Sequence, residues 1–238
     1  MFSYDNTFFR IMTKVADVFI VSIMWILFSL PVVTLGASTS ALYYTVHKVI
    51  LGERGYITKD FWREYTNRMK DSIKCSVILE LIFAFLLYDI AFVKNVLEQN
   101  ANSWIGFMYY TFYILILILV VLFVYIFCYR ARFEMNWKGS LLNGLRFLFA
   151  SGGWAFLVLA GIIISIMIVR DMPFFIFFLP VLNAMLWDFI MERQYLKVMT
   201  PEEVEEVRRQ KLIRQGKFED DIEVHEDNIE EHGSDIEE

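Results

Sequence analysis

The chain has 238 residues, of which 57% are hydrophobic and 17% aromatic, and its mean hydropathy is +0.47. Soluble domains are about 45–50% apolar, and the excess here is concentrated in long runs, so the composition excludes an ordinary soluble globular protein. The formal net charge of −6 is uneven: residues 219–238 hold 11 acids and no Lys or Arg, whereas the rest holds 22 bases against 17 acids. The two cysteines, Cys75 and Cys128, are too few for a disulfide scaffold and lack metal-ligand spacing.

Five apolar segments predict membrane-spanning helices. The longest uncharged run, residues 107–128, has 22 residues, and as a helix it would be about 33 Å long, enough to cross the ~30 Å hydrocarbon core. The alternating pattern of a membrane β-barrel does not occur. We therefore predict an all-α, polytopic membrane helix bundle over residues 1–195, with spans at about 18–35, 76–93, 104–129, 147–169 and 174–190.

The distribution of Lys and Arg between the spans predicts their orientation. The connections 36–75 and 130–146, together with the region after the fifth span, hold 18 of these residues, and the opposite side holds 4. Because cytoplasmic loops carry the excess of positive charge, we predict an external N-terminus and a cytoplasmic C-terminus.

The stretch Leu30–Tyr44, "LPVVTLGASTSALYY", interrupts the first apolar run. A signal-peptide cleavage site is one interpretation, but the run of about 18 residues is longer than the usual 7–15. The favoured interpretation is a bend at Pro31, which disfavours a continuing helix, followed by a second helix that runs to Gly52. Its small-residue pairs allow close helix packing, which we favour over a ligand or ion site; the pairs are Gly36 with Ser40 and Ala37 with Ala41.

Residues 58–75 predict an amphipathic helix on the cytosolic side. Apolar residues recur every four positions from Phe61 to Ile73, and the basic residues fall largely away from them. Such a helix can lie in an anionic lipid interface without a partner, which we favour, or it can be a docking surface for a cytosolic partner. The candidate docking residues are Phe61, Trp62, Arg63, Asn67, Arg68 and Lys70.

The C-terminal region predicts a cytosolic helix at 196–217 and a disordered acidic tail at 218–238. Thr200 and Glu203 form a capping box, and Gly216 is a typical terminator. The tail has few apolar residues to bury.

The sequence contains no catalytic constellation, cofactor-binding motif or metal-ligand motif, and no basic stripe for nucleic acid. Intramembrane carboxylates remain, and these usually face the interior of a bundle or an ion path. We predict a polar cluster with at least one acid–arginine pair, and favour a structural ion pair over a proton or substrate path. Its candidate residues are Glu80, Asp188, Glu192, Arg130, Arg132 and Arg146.

The run Pro31–Ser38, the "ALYY" of Ala41–Tyr44 and the Phe/Trp-basic-Asn pattern of the 58–75 segment resemble the YesL family. This is a family of bacterial integral membrane proteins of unknown molecular function. The resemblance implies a multi-pass protein of the bacterial cytoplasmic membrane. It also implies an association with ABC-type carbohydrate uptake, because family members are often encoded beside such systems, and it implies no catalytic residues.

Two functional hypotheses follow for a chain whose first partner is the lipid bilayer. The first is a non-enzymatic accessory subunit that binds ABC sugar-transporter components through the basic 58–75 helix. The second is a small carrier or channel whose path is lined by Glu80, Asp188 and Asn183.

Overall fold

The computed structural model describes residues 7–52, 55–99, 103–133 and 136–198. Every regular element in these ranges is a helix, which confirms the predicted all-α fold class. The α-helices are α1 (Thr7–Ser29), α2 (Leu35–Thr45), α3 (Ile57–Gln99), α4 (Ser103–Arg132), α5 (Trp137–Ser151), α6 (Trp154–Asp171) and α7 (Leu179–Val198). Short 3₁₀ segments at Val32–Thr34 and Pro173–Phe177 precede α2 and α7, and a π-helical segment at Val46–Leu51 extends α2.

The chain divides into two compact units, Met1–Met191 and Glu192–Glu238. The helix bundle belongs to the first unit. Of the second unit the structure describes the residues up to Val198, which are the end of α7. The predicted cytosolic helix at 196–217, apart from residues 196–198, and the acidic tail at 218–238 lie outside the described residues.

Four helices in the described ranges are long and apolar enough to cross a membrane: Met12–Ser29, Ile57–Glu98, Trp104–Arg132 and Trp154–Asp171. Their outer surfaces carry large exposed apolar side chains, such as Phe85 and Phe156. Lipid is the environment that covers such surfaces without cost, because hydrocarbon tails are as apolar as the side chains. The chain is therefore a membrane protein with a polytopic helical bundle.

The fifth predicted span, 174–190, differs from the other four. Its first residues form the 3₁₀ segment Pro173–Phe177, and α7 begins only at Leu179. The second half of α7 carries Asp188, Glu192 and Arg193, which lower its hydropathy, and this helix is not among the four candidates. An external N-terminus and a cytoplasmic C-terminus need an odd number of membrane crossings. Four crossings come from the candidate helices, so α7 would have to supply the fifth, and the predicted orientation stays a prediction.

Helix α3 is far longer than a membrane crossing requires. Its 43 residues span about 65 Å at 1.5 Å per residue, roughly twice the thickness of the hydrocarbon core. The predicted amphipathic segment 58–75 and the predicted span 76–93 are parts of this one uninterrupted helix. The polar first half of α3 consequently extends beyond the apolar layer.

Helix α2 lies in the centre of the bundle against α1, α3 and α4, and its residues Gly36–Tyr43 are all buried. A Cβ on Gly36 would overlap the ring of Phe127 on α4. The Ser40 hydroxyl donates to the Phe127 carbonyl at 3.0 Å. The small side chains of α2, including Ala37 and Ala41, thus let three helices approach closely.

An apolar cluster lies between α3 and α4. Its buried members are Cys75, Leu79, Leu86, Leu119, Ile126 and Phe127. Helix α5 packs onto the same region, because a Cβ on Gly144 would meet Ile126 at 2.5 Å. Between α5 and α6, Gly152 adopts φ +55°, a left-handed conformation that favours glycine. The fourth span therefore begins at Trp154 rather than at residue 147.

Candidate functional site

The first five turns of α3 present one exposed side, which we call the basic face. Its members are spaced three and four residues apart, so they share one side of the helix, and all are exposed: Lys59, Trp62, Arg63, Thr66, Asn67, Lys70 and Lys74. The face carries four cationic side chains, and one half-exposed carboxylate, Asp71, pairs with Lys74 at its end. It is a surface suited to an anionic partner.

Trp62 is the large aromatic residue of the basic face. It is 51% exposed, although its ring also contacts Phe28 of α1, with 5.4 Å between ring centroids. An exposed aromatic side chain between Arg63 and Lys59 combines apolar contact area with positive charge, a combination that is common at protein interfaces.

Two of the candidate docking residues lie on the opposite side of α3. Phe61 is fully buried. The Arg68 Nε atom lies 2.6 Å from Glu64 Oε1, and its guanidinium also donates to the carbonyls of Arg130 and Phe133. These two side chains attach α3 to the bundle, so they are unable to contact a partner. The apolar stripe of this segment likewise packs on protein rather than on lipid, since Tyr65 is also buried.

Asp60 fixes the start of α3 next to the basic face. Its carboxylate accepts hydrogen bonds from Lys48 Nζ at 2.8 Å, Arg63 Nη2 at 2.7 Å and the Tyr56 backbone N–H at 3.0 Å. The hydrogen bond to Asp60 raises the pKa of Lys48. Gly55 adopts φ +94°, and a Cβ there would overlap the Asp60 carboxylate. Asp60 thus positions Arg63 on the surface.

Arg130 joins three helices inside the bundle. The residue is 3% exposed, and its guanidinium donates to Ser72 Oγ on α3 at 2.9 Å and to Ser140 Oγ on α5 at 3.2 Å. Buried charged groups are normally held by such hydrogen bonds. The contacts of Arg130 give it a structural role.

A second, partly buried chain of polar groups joins the π-helical segment that follows α2 to α4 and α7. His47 Nδ1 lies 2.7 Å from Asp188 Oδ1, and His47 Nε2 lies 2.5 Å from Arg132 Nη1. Because a guanidinium only donates, this geometry assigns an acceptor to Nε2 and the proton to Nδ1, which donates to Asp188. Histidine thereby connects the arginine and the acid that we had predicted to cluster.

Two further members of the predicted polar cluster, Glu80 and Arg146, lie on other helices. Glu80 lies on α3 and lines a cavity described below. Glu192 follows Asp188 by one turn of α7, and Arg146 is exposed on α5. The six candidates therefore occupy several places rather than a single site.

A cavity of about 610 Å³ lies among α1–α4, α6 and α7. Most of its lining is aliphatic or aromatic, and the polar exceptions are Trp25, Thr39, Glu80, Ser165, Asn183 and Trp187. Two of these are bonded across helices, since Asn183 Nδ2 donates to Ser165 Oγ at 2.6 Å. Asp188, predicted to share a path with Glu80 and Asn183, does not line the cavity.

Close packing of α6 on α7 forms one wall of this cavity. A Cβ on Gly161 would meet Leu186 at 2.6 Å, whereas a Cβ on Gly153 would meet open space. The small residues Gly161 and Ser165 of α6 therefore serve an intrachain contact.

Sequence reasoning missed four polar residues that organise these sites. His47 is separated by more than 80 residues from both of its partners, and Ser72 and Ser140 are short side chains without a motif. Trp187 lies in an apolar run and belongs to no motif. Only the fold brings these residues to their partners. Asp60 is different, because an acidic residue in the first turn of a helix is a position that sequence can recognise.

Residues 18–90 match a protein-family model described as "Protein of unknown function, DUF624". The matched region begins within α1, contains α2 and ends within α3. It thus includes the bend at Pro31 and the whole basic face. No curated protein and no solved structure shows a significant match to the chain.

Proposed function

We propose that this protein is a non-enzymatic accessory component of the bacterial cytoplasmic membrane, associated with ABC-type carbohydrate uptake. In this proposal it binds a transporter component through the basic face of α3. The bundle holds α3 in the membrane and presents its first half outside the apolar layer.

The basic face is the observation that carries the proposal. Lys59, Arg63, Lys70 and Lys74 lie on one exposed side of a helix whose other side is anchored by Phe61 and Arg68. A rigid helix pre-orders these side chains, and a pre-ordered surface loses less conformational freedom on binding. The complementary partner has an acidic surface close to the membrane.

The link to carbohydrate uptake and to bacteria rests on the resemblance to the YesL family. The match of residues 18–90 to a family of unknown function is compatible with it. The basic face lies wholly inside this matched region.

The carrier hypothesis finds a narrower basis in the structure. Glu80 and Asn183 line the cavity, but Asp188 is bonded to His47 and lies outside the lining. A sugar carries many hydroxyl groups, each of which needs a polar partner when it is buried. The cavity is mostly apolar, so it does not suit a sugar as cargo, and this favours the accessory role.

Co-purification from native membranes tests the proposal. The tagged wild-type protein should recover subunits of an ABC sugar transporter, and the double variant Arg63→Glu with Lys70→Glu should lose most of them, because it reverses two charges of the basic face. The matched control is Arg170→Glu, an exposed basic residue at the end of α6. Thermal unfolding of all three proteins in detergent checks that they are folded.

Two results contradict the proposal. One is recovery of no transporter component by the wild type. The other is equal recovery by the double variant and by Arg170→Glu.

A further inference from the structure

The cavity among α1–α4, α6 and α7 has the size and lining of a small-molecule site. Its volume of about 610 Å³ lies within the range of roughly 300–1,000 Å³ that is usual for ligand pockets. Such pockets are mostly apolar, with a few polar groups that orient the ligand, as is the case here.

Two polar atoms of the lining lack partners in the part of the chain that the structure describes. They are Glu80 Oε1 and the indole N–H of Trp187, and both atoms are buried. The Glu80 carboxyl group also forms a hydrogen bond with the Ser76 side chain. Other polar groups of the lining are bonded: Trp25 donates to Thr39, and Asn183 donates to Ser165 and to the Leu179 carbonyl. Because buried polar atoms in native structures are nearly always paired, an unpaired acceptor and an unpaired donor in one cavity call for an explanation.

The most exposed part of the cavity lining is apolar. Ile166 and Val32 are 64% and 63% exposed, and Ile166 lies within the candidate span Trp154–Asp171. Side chains exposed on a span face the hydrocarbon of the bilayer. A ligand that enters beside Ile166 therefore comes from the lipid and has to be lipid-soluble.

We propose that the cavity binds a neutral, single-chain lipid-soluble alcohol, with its hydroxyl group between Glu80 and Trp187. A hydroxyl both donates and accepts, so it satisfies the carboxyl group in either protonation state and also accepts from the indole N–H. The apolar lining holds the chain. This site is independent of the basic face and goes beyond the proposed accessory function.

Other headgroups fit the pair of atoms less well. An ammonium group pairs with a carboxylate but offers no acceptor to the indole of Trp187. An ether accepts from the indole but has no hydrogen to donate to Glu80. A fatty-acid carboxylate adds a second anion beside Glu80.

Saturable photolabelling of the purified protein in lipid nanodiscs tests the site. The probes are a diazirine-bearing hexadecanol, its methyl ether and its primary amine. The variants are Glu80→Met, which removes the carboxyl group at similar length, and Trp187→Phe, which removes the N–H but keeps an aromatic ring. The matched controls are Glu98→Met and Trp104→Phe, two exposed residues outside the cavity.

In each cavity variant, the alcohol should reach half-saturation at about tenfold higher concentration than in wild type. This factor corresponds to the free energy of one lost hydrogen bond. Both control variants should bind the alcohol within about twofold of wild type. Binding of the ether should weaken in Trp187→Phe and stay unchanged in Glu80→Met. Labelled peptides should come from the cavity lining. Arg63→Glu with Lys70→Glu should leave alcohol binding unchanged, which separates this test from that of the basic face.

Ligand-free thermal unfolding gives a second readout. Because Glu80 Oε1 and the Trp187 N–H are unpartnered, each cavity variant loses only lesser contacts, the Glu80–Ser76 hydrogen bond or part of a buried ring, and should unfold within about 5 °C of wild type. A large loss of stability would show that these groups have structural partners and would overturn the proposal. It is also overturned by non-saturable labelling, by alcohol binding that is equal in Glu80→Met and wild type, or by tighter binding of the amine than of the alcohol.

Discussion

Gly36 on α2 donates its backbone N–H to the hydroxyl of Ser76 on α3 at 2.9 Å. The first N–H groups of a helix have no partner within the helix, so Ser76 satisfies one of them from a neighbouring element. The approach needed for this bond is possible because residue 36 has no side chain: a Cβ would overlap both Ser76 and the ring of Phe127. One glycine thus sets the distance between α2, α3 and α4.

Gly36→Ala should destabilise the bundle by about 1–3 kcal/mol, the usual cost of forcing extra atoms into a packed core. Neither the backbone of α2 nor the ring of Phe127 has space to move aside, because both are fully buried. Chemical or thermal unfolding in detergent measures the change.

Gly106→Ala is the matched control for this substitution. Gly106 lies on α4, where an added Cβ meets nothing within 4 Å. Alanine is the better helix former by about 1 kcal/mol, so this variant should be neutral or more stable. Equal effects of the two substitutions would show that α2 does not pack as closely as described.

Asp60→Ala should destabilise the start of α3 by about 1–3 kcal/mol, since it removes the buried carboxylate that accepts from the Tyr56 N–H, Lys48 and Arg63. The side chain of Asp60 is 6% exposed, but those of Lys48 and Arg63 are 30% and 48% exposed. Because solvent screens the two ion pairs, the loss of unfolding free energy should stay at this moderate level. Asp71→Ala, which removes an exposed pair with Lys74 at 3.3 Å, should change stability by less than about 0.5 kcal/mol.

The difference in unfolding free energy between wild type and Asp60→Ala should depend on pH. The reason is Lys48, whose pKa is raised by its hydrogen bond to Asp60. A group with a raised pKa in the folded state contributes its full stabilisation below the pKa of the unfolded chain. The stability gap between wild type and Asp60→Ala should therefore stay constant from neutral pH to about pH 10, near the ordinary lysine pKa, and narrow above it. A gap that narrows between pH 7 and 9 would be inconsistent with this lysine contact.

The chain Arg132–His47–Asp188 predicts energetic coupling between two residues that are far apart in sequence. His47→Phe leaves the buried Asp188 carboxylate without its imidazole donor, and Asp188→Asn removes the charge. In a double-mutant cycle the coupling between these substitutions should be about 1–3 kcal/mol. Additive effects on the unfolding free energy would show that the two side chains do not interact.

The fold class and the positions of most helices could be predicted from the sequence because lipid imposes a simple rule: long uncharged runs form helices. The bend at Pro31 has a local cause, and α1 ends at Ser29. Helix α7 was harder to assign. The run 174–190 is apolar enough to resemble a span, but its regular helix begins at Leu179 and continues into charged residues.

The candidate sites were only partly predictable. Spacing shows that Phe61 and Trp62 lie on different sides of a helix, but it does not show which side meets protein, and the structure buries Phe61 while it exposes Trp62. Similarly, Arg132 and Asp188 carry recognisable charges, but the histidine between them comes from the π-helical segment that extends α2, more than 80 residues from either. Long-range contacts of this kind have no local sequence signal.

The cytosolic location of the basic face can be measured by cysteine labelling. Lys70→Cys should react with a membrane-impermeant maleimide only in inside-out vesicles, and Arg170→Cys should react in intact cells. The native thiols, Cys75 and Cys128, are buried, so background labelling should be low. Labelling of Lys70→Cys in intact cells would place the basic face outside and reverse the predicted orientation.

The most direct measurement for the central claim, that the basic face of α3 binds a protein partner, is photo-crosslinking at position 62 in native membranes. A photoreactive amino acid replaces Trp62, with the same replacement of Phe107, an exposed residue of α4, as the control. We expect a discrete protein adduct, containing a transporter component, from position 62 alone, and its loss when Arg63 and Lys70 are both changed to Glu. Adducts with lipid only at position 62, or the same protein adduct from position 107, would show that the basic face does not bind a protein partner.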